Sequence, residues 1–222
     1  MFPWLKKTYQ NLPEYWKTYE SMFETKQEKP FRYVVLDTET TGFDRLKDRI
    51  LSIGSVAIIG QDIAVDHTFE VYVKQDVFNP KTVEIHGLLK EEKLKTISEK
   101  EAMKQFLEYL GNAIIVAHHA AFDITMLNEA LIRQGLPKLK NNFLDTGTLY
   151  KKSRIRSNLI KQENNYSLDA IAEKLSITIQ DRHTAIGDAY ITALIFLKLR
   201  SSLNKLKKIS EEQLVKMAKK FY

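Results

Sequence analysis

Two carboxylates, Asp37 and Glu39, stand two residues apart at the end of the apolar run Val34, Val35 and Leu36. A strand's period of two puts both on one face. Like charges side by side at the end of a buried strand repel each other and lose hydration unless a cation lies between them. A divalent metal answers both costs, since hard cations such as Mg²⁺ take a few carboxylate oxygens and keep positions open for water and phosphate. The bland alternative is a surface strand that ends in two acids. Two more stretches add candidates. Asp123, in Ala117-His118-His119-Ala120-Ala121-Phe122-Asp123, follows an apolar strand at the opening turn of a helix, where the helix dipole also favours an acid. Asp188 is a single acid in an otherwise apolar helix beside Gly187, and His183 precedes it by five positions. That separation is about 140° around a helix, so the two converge only if His183 lies in the entering loop. A mobile imidazole beside a fixed ligand suits proton transfer.

The elements that must position these groups are legible in the periodicity. Residues 31–36 are rich in β formers and stop at the Asp37–Gly42 stretch, and residues 49–59 and 63–73 read as strands joined by a tight turn at Gly60-Gln61-Asp62. The first three strands are expected as an antiparallel meander. Ser98 to Glu101 has a capping-box pattern, and Ala102, Met103, Phe106, Leu107 and Leu110 recur at helical spacing before Gly111. Residues 113–117 read as a buried strand, 122–133 as an amphipathic helix closed by Gly135, and 142–149 as the next strand. A capped helix opens at Ser167, and a long apolar helix is expected over residues 184–203. Strands first, then strands alternating with helices, predict a mixed α/β sheet with helices on its faces. Ahead of it, Trp4, Tyr9, Tyr15, Trp16, Tyr19 and Phe23 mark an aromatic-rich extension whose apolar stripe, in a helix after Pro13, would dock on the body. The expected division is an extension over 1–30, a main domain over 31–200 and a basic amphipathic tail over 201–222.

Length and composition bound the remaining possibilities. A chain of 222 residues with 44% hydrophobic and 28% charged residues can form one ordinary domain with appendages, without a disulfide or metal staple. It has no cysteine, which excludes thiol catalysis and thiolate metal sites. No apolar run approaches the roughly 18 residues that cross a bilayer, and the first residues lack a signal peptide's pattern, so no membrane association and a cytoplasmic location are expected. The net charge of +6 is concentrated: residues 198–222 hold eight bases against two acids, and the rest of the chain is neutral. A second cluster, Lys151, Lys152, Arg154, Arg156 and Lys161, contains no acid. Such patches suit a polyanion such as nucleic acid, because neutralising phosphates releases counterions; a solvated helix face and a basic loop are the plain alternative.

Taken together and in this order, Asp37-Thr38-Glu39-Thr40-Thr41-Gly42, the second stretch ending in Asp123, and His183 with Asp188 closely resemble the three motifs of the DEDDh 3′-5′ exonucleases. The likeness is nearest to the proofreading epsilon subunit of bacterial DNA polymerase III, with ribonuclease T as a relative. Supporting stretches around Gly54, His86, Asp145 and Tyr166 to Leu175 agree. The resemblance covers about residues 31–199. It implies a ribonuclease H-like fold, a mixed five-stranded sheet of order 3-2-1-4-5 with helices on both faces. It implies two divalent ions, Mg²⁺ or Mn²⁺, held by Asp37, Glu39, Asp123 and Asp188, with Asp37 bridging and His183 taking the proton of the attacking water. Thr40, Thr41 and His86 are implied to line the terminal nucleotide's pocket. The implied reaction is hydrolysis of the terminal phosphodiester of DNA to nucleoside 5′-monophosphates, in proofreading or repair, with a DNA polymerase subunit as the implied partner. RNA end trimming and a non-catalytic nucleic-acid-binding or scaffolding module on the same fold are the rival readings. Oligomeric state is not legible.

One position departs from the pattern: His119 occupies the place where these enzymes usually have Asn. His118 and His67 have no partner that the sequence identifies, and Asp145 is expected to anchor a helix or loop without binding metal. Leu199, Leu203, Leu206, Ile209, Leu214, Met217 and Phe221 mark a stripe on the tail, expected to pack on its own domain.

Overall fold

The run that ends in Asp37 and Glu39 is apolar on both sides because it lies at the centre of a sheet covered on both faces. The structure, a computed structural model, describes residues 11–25, 29–76, 95–154 and 166–217. His86 with its flanking stretch, Arg156, Lys161 and Phe221 lie outside the described residues. Strand β1 (Arg32–Thr40) pairs antiparallel with β2 (Ile50–Ile59), which pairs antiparallel with β3 (Asp62–Val73), giving the expected meander. On the other side of β1 lie β5 (Ile114–Ala117) and β6 (Phe143–Asp145), both parallel. The expected order of five strands is present. A two-residue strand, β4 (Thr96–Ile97), extends it beyond β3, so the sheet has six strands in the order β4-β3-β2-β1-β5-β6. Two residues are too few to register as a periodic pattern, which is why the sequence leaves this edge strand out.

Alternation along β1 divides the core. Val34 and Leu36 face a cluster with α1 (Glu14–Ser21), α2 (Glu99–Leu110) and α3 (Ala121–Arg133), built on Trp16, Phe106 and Leu127. Tyr33 and Val35 face the opposite cluster, with α4 (Thr146–Ser153), α5 (Leu168–Lys174), α6 (Ala185–Lys207) and α7 (Glu211–Lys216), built on Leu149, Ile171, Phe196 and Leu214. By the same alternation Asp37 and Glu39 belong to the α6 side and Thr38 to the α3 side.

The expected caps close these helices. The Ser98 side chain accepts the Glu101 amide at the start of α2, and Ser167 accepts Ala170 at the start of α5. The strand expected over 142–149 ends at Asp145. Its carboxylate accepts the Thr148 amide and starts α4 there, an N-cap that turns Thr146 to Leu149 from the expected strand into helix. Helix α6 passes Ser201 without a break and ends at Lys208, which adopts a left-handed φ of 54°. Helix α7 then returns to the body: Leu214 is buried, and Glu211 accepts from Tyr33 and Arg200. At the other end of the chain, Trp16 and Tyr19 are buried, and the Tyr19 hydroxyl donates to Asn141 at 2.5 Å. Asn141 in turn donates to the carbonyls of Gly111 and Ala113, tying α1 to the entrances of β5 and β6. Among the described residues no helix is long and apolar enough to cross a membrane.

Candidate active site

Asp37 and Glu39 stand in the carboxyl-terminal half of β1, beside the first turn of α6, and the approach of that helix is permitted by one missing side chain. Gly54 is the register partner of Asp37 on β2, and a Cβ built on it would lie 2.1 Å from the backbone nitrogen of Ile186. Only a glycine lets the amino end of α6 press against the strand there. Thr184 caps α6 by accepting the Gly187 amide, and its hydroxyl donates to the Asp181 carbonyl at 2.8 Å. Asp188 is thereby carried into the site from the helix's first turn, where the dipole favours its charge. One oxygen each of Asp37, Glu39 and Asp188 lie within 4.8 Å of one another.

Asp123 arrives from the other layer. It is buried in the first turn of α3, and its Oδ1 accepts from the Thr38 amide at 3.1 Å and the Thr38 hydroxyl at 2.8 Å. Asp123 is outside the close group of three, yet its charge raises the pKa of both Asp37 and Glu39. Burial is the largest cause for each of the four acids. It pushes Asp37 well above the usual carboxylate range, with Asp123, Asp188 and Glu39 adding to it. Glu39 is pushed up to about 7, mainly by burial and then by Asp188 and Asp123. Burial likewise raises Asp123 and Asp188, opposed by the Thr38 bonds in one case and by Arg182 in the other.

These residues fit a hard divalent cation. The donors are all carboxylate oxygens, three converge, and Asp188 Oδ1 is buried with no hydrogen-bond partner among the described residues. A buried carboxylate oxygen left without a partner is costly unless something cationic completes it.

His183 lies in the entering loop, exposed, with a left-handed φ of 65°. Its position outside α6 is the one condition under which it and Asp188 converge. Thr40 and Thr41 are buried and their hydroxyls serve the loop after β1: Thr40 donates to the Gly42 carbonyl at 2.7 Å, and Thr41 donates to Asp48 at 2.7 Å. His119 has a φ of 59°, a conformation that Asn tolerates better than most residues, so the backbone accounts for the usual Asn at this place. Its ring packs 4.4 Å from that of His118. His118 Nδ1 hydrogen-bonds the Thr146 hydroxyl at 2.9 Å, and burial, then His119, lowers its pKa to about 4, which makes it a neutral packing residue. Asp145 accepts from Ala120 as well as Thr148 and so anchors α3 and α4. His67 is exposed beside Asp66.

Three contributors escape sequence reasoning. Thr38 lies between the two motif acids but faces the other layer, and Gly54 matters only through the helix that crosses it. Arg182 adjoins His183 and brings a cation to this acidic group, paired with Asp188 and, thirteen positions away in sequence, with Asp169. Its adjacency to His183 is the single signal the sequence offers. Beside the acids, the loop after β1 presents Phe43 and Leu46, 77% and 71% exposed, and Arg45 lies over the ring of Phe122.

Comparisons with known proteins identify relatives of this chain. Two relatives described as DNA polymerase III PolC-type, from Caldanaerobacter subterraneus subsp. tengcongensis and Thermotoga maritima, are each 34% identical over 186 residues, covering 81% and 83% of this chain. The chain spans 12–13% of the length of these curated relatives. Among solved structures, exonuclease X in complex with 5′ overhanging duplex DNA matches with a TM-score of 0.58 and 25% identity, covering 84% of this chain and 98% of that one. Escherichia coli exonuclease I in complex with a dT13 oligonucleotide matches with a TM-score of 0.68 at 16% identity over 84% of this chain and 46% of that one, a likeness of fold. The model of the exonuclease family named for RNase T matches residues 34–196, the span that holds all four acids and His183, and the chain belongs to that family.

Proposed function

We propose that residues 31–200 form a metal-dependent 3′-5′ exonuclease that hydrolyses terminal phosphodiesters of DNA and releases nucleoside 5′-monophosphates. The observation that carries this reading is the convergence of Asp37, Glu39 and Asp188 from two elements onto one point, with Asp123 held behind them by Thr38. Asp37, Glu39, Asp123 and Asp188 would hold two divalent ions, Mg²⁺ or Mn²⁺. When bound, such ions supply Lewis acidity to the attacking water and to the departing 3′ oxygen. Asp37, whose carboxylate lies within 4.8 Å of those of Glu39 and Asp188, would be the ligand shared between the ions. His183, on an exposed loop at the edge of the acids, accepts the proton of the attacking water and can turn to solvent to release it. Thr40 and Thr41 shape the turn that borders the terminal nucleotide, with His86 assigned to the same pocket. Phe43, Phe122 and Arg45 offer ring faces and a cation to the bases and backbone of a single-stranded 3′ end.

The relatives described as DNA polymerase III favour DNA over RNA as substrate, proofreading or repair as the setting, and a polymerase as partner, with the cytoplasm as the compartment in which they meet. The test uses 5′-labelled single-stranded and 3′-recessed substrates, each as DNA and RNA, with Mg²⁺, Mn²⁺ or chelator. A metal-dependent ladder shrinking from the 3′ end, faster on DNA, is expected. Asp37→Ala should abolish it in a folded protein, and His183→Ala should slow it about 10²–10⁴-fold with binding intact. An Asp37→Ala protein that still cleaves would refute the reading, and a ladder confined to RNA would reassign the substrate.

A further inference from the structure

Asp188 is held from behind. Its Oδ2 accepts from Nη1 of Arg182, leaving Oδ1 as its one oxygen without a partner among the described residues. The remaining arms of the same guanidinium are engaged elsewhere: Nε donates to Asp169 Oδ1 at 2.6 Å and Nη2 to Asp169 Oδ2 at 3.0 Å. This is the two-point geometry in which Arg and a carboxylate bind strongly and with fixed orientation. Asp169 is itself fixed, in the first turn of α5 behind the Ser167 cap. The loop that carries Arg182 is equally constrained. Its neighbours Asp181 and His183 both adopt left-handed φ values, 52° and 65°, and Gly187 admits the Asp181 carbonyl so closely that a Cβ would lie 2.1 Å from it. The Arg182 side chain is 22% exposed and that of Asp188 8%, so the pair lies in the protein wall.

We infer that Arg182, oriented by Asp169, is a positioning residue that ties one oxygen of Asp188 and thereby presents the other as a single-point metal ligand. The inference rests on the metal-dependent reading above. The Asp169–Arg182 pair is neutral overall, so it orients Asp188 while adding little net positive charge beside an incoming cation. The opposite arrangement, a free guanidinium competing with metal for the acids, would leave Arg182 without an anchor outside the site; here two of its three arms are committed to Asp169. Hydrogen-bonded partners behind a metal ligand typically account for 10–100-fold in metal affinity or activity.

The experiment measures Mn²⁺ binding by the whole chain, by calorimetry and by electron paramagnetic resonance, beside cleavage rates at rising Mn²⁺. Arg182→Ala should raise the Mn²⁺ Kd 10–100-fold, with cleavage restored towards the native rate at saturating Mn²⁺, a rescue that Asp37→Ala should not show. Asp169→Asn alters a half-exposed side chain and should keep the fold; it should weaken Mn²⁺ in the same direction, and combining it with Arg182→Ala should add little further loss. Arg182→Lys keeps the charge but lacks the rigid planar fork that binds Asp169 at two points while reaching Asp188, and should remain weakened. Unchanged or tighter Mn²⁺ binding in Arg182→Ala and Asp169→Asn would overturn the positioning role. A native chain that binds no Mn²⁺ would instead overturn the metal reading on which it rests.

Discussion

Glu39 keeps its proton into the neutral range because burial and the charges of Asp188 and Asp123 oppose its ionisation. Between its ordinary pKa of 4.5 and the folded value of about 7, the folded chain binds a proton that the unfolded chain has released. Stability of the metal-free protein should therefore fall as pH rises through that window, and Asp37, raised for the same reasons, acts in the same direction. Thermal melts in chelator from pH 5 to pH 8 check this against Glu39→Gln, whose melting temperature should fall less steeply; identical slopes would remove Glu39 from the account. Added Mn²⁺ should raise the melting temperature most at pH 8, since ligand carboxylates must be deprotonated to bind. His119 and Thr38 show two ways in which a motif residue is set by backbone and layer. One occupies a left-handed position, and the other faces away from its neighbours to hold Asp123.

At the scale of elements, the site exists because β1 and the first turn of α6 touch. Gly54 makes that contact possible, so Gly54→Ala should force the helix end away from the strand and draw Asp188 off Asp37 and Glu39. Overpacking of this kind costs about 1–3 kcal/mol, which a sheet of six strands should survive. Displacement of a ligand by about 1 Å can cost on the order of 10²-fold in rate, so cleavage should fall far more than stability. Comparing kcat with the urea midpoint separates the two, and a variant with native kcat would show that the helix can retreat without moving Asp188. The loop after β1 is a second positioning element: Thr41, Asp48 and Arg49 close it through side-chain and backbone bonds, leaving Phe43 and Leu46 on its outer edge.

Over the whole molecule, the segments flanking the central sheet contribute to its two cores. Trp16 has no exposed surface and packs in the cluster of α2 and α3, while Leu214 of α7 lies in the opposite one. Trp16→Ala should therefore cost about 3–5 kcal/mol in urea unfolding while leaving the cleavage mechanism intact, because α1 lies on the layer opposite Asp188. A loss below about 1 kcal/mol would show that α1 is an accessory. Glu211, paired with Arg200 and Tyr33, joins α7 to α6 and β1, so part of the tail's charge serves its own fold.

The amino-acid sequence by itself determined the order of the main strands and helices, the caps at Ser98 and Ser167, and the start of the long helix after His183. Each of these depends on local spacing, which periodicity and side-chain type report directly. Spacing offered Asp37, Glu39, Asp123 and Asp188 only as separate candidates, and the resemblance of their three motifs to an exonuclease family is what joined them into one set. Local spacing also misled once, where Thr146 to Leu149 read as strand although the Asp145 cap makes them helix. The docking of Trp16 was expected from its stripe, and the structure buries it. The partnership of Arg182 with Asp169 and Asp188, the service of Thr38 to Asp123 and the close approach at Gly54 were decided only by the tertiary structure. All three join residues from different layers or elements, and burial of the acids between those layers is what raises their pKa values and makes a cation's place among them.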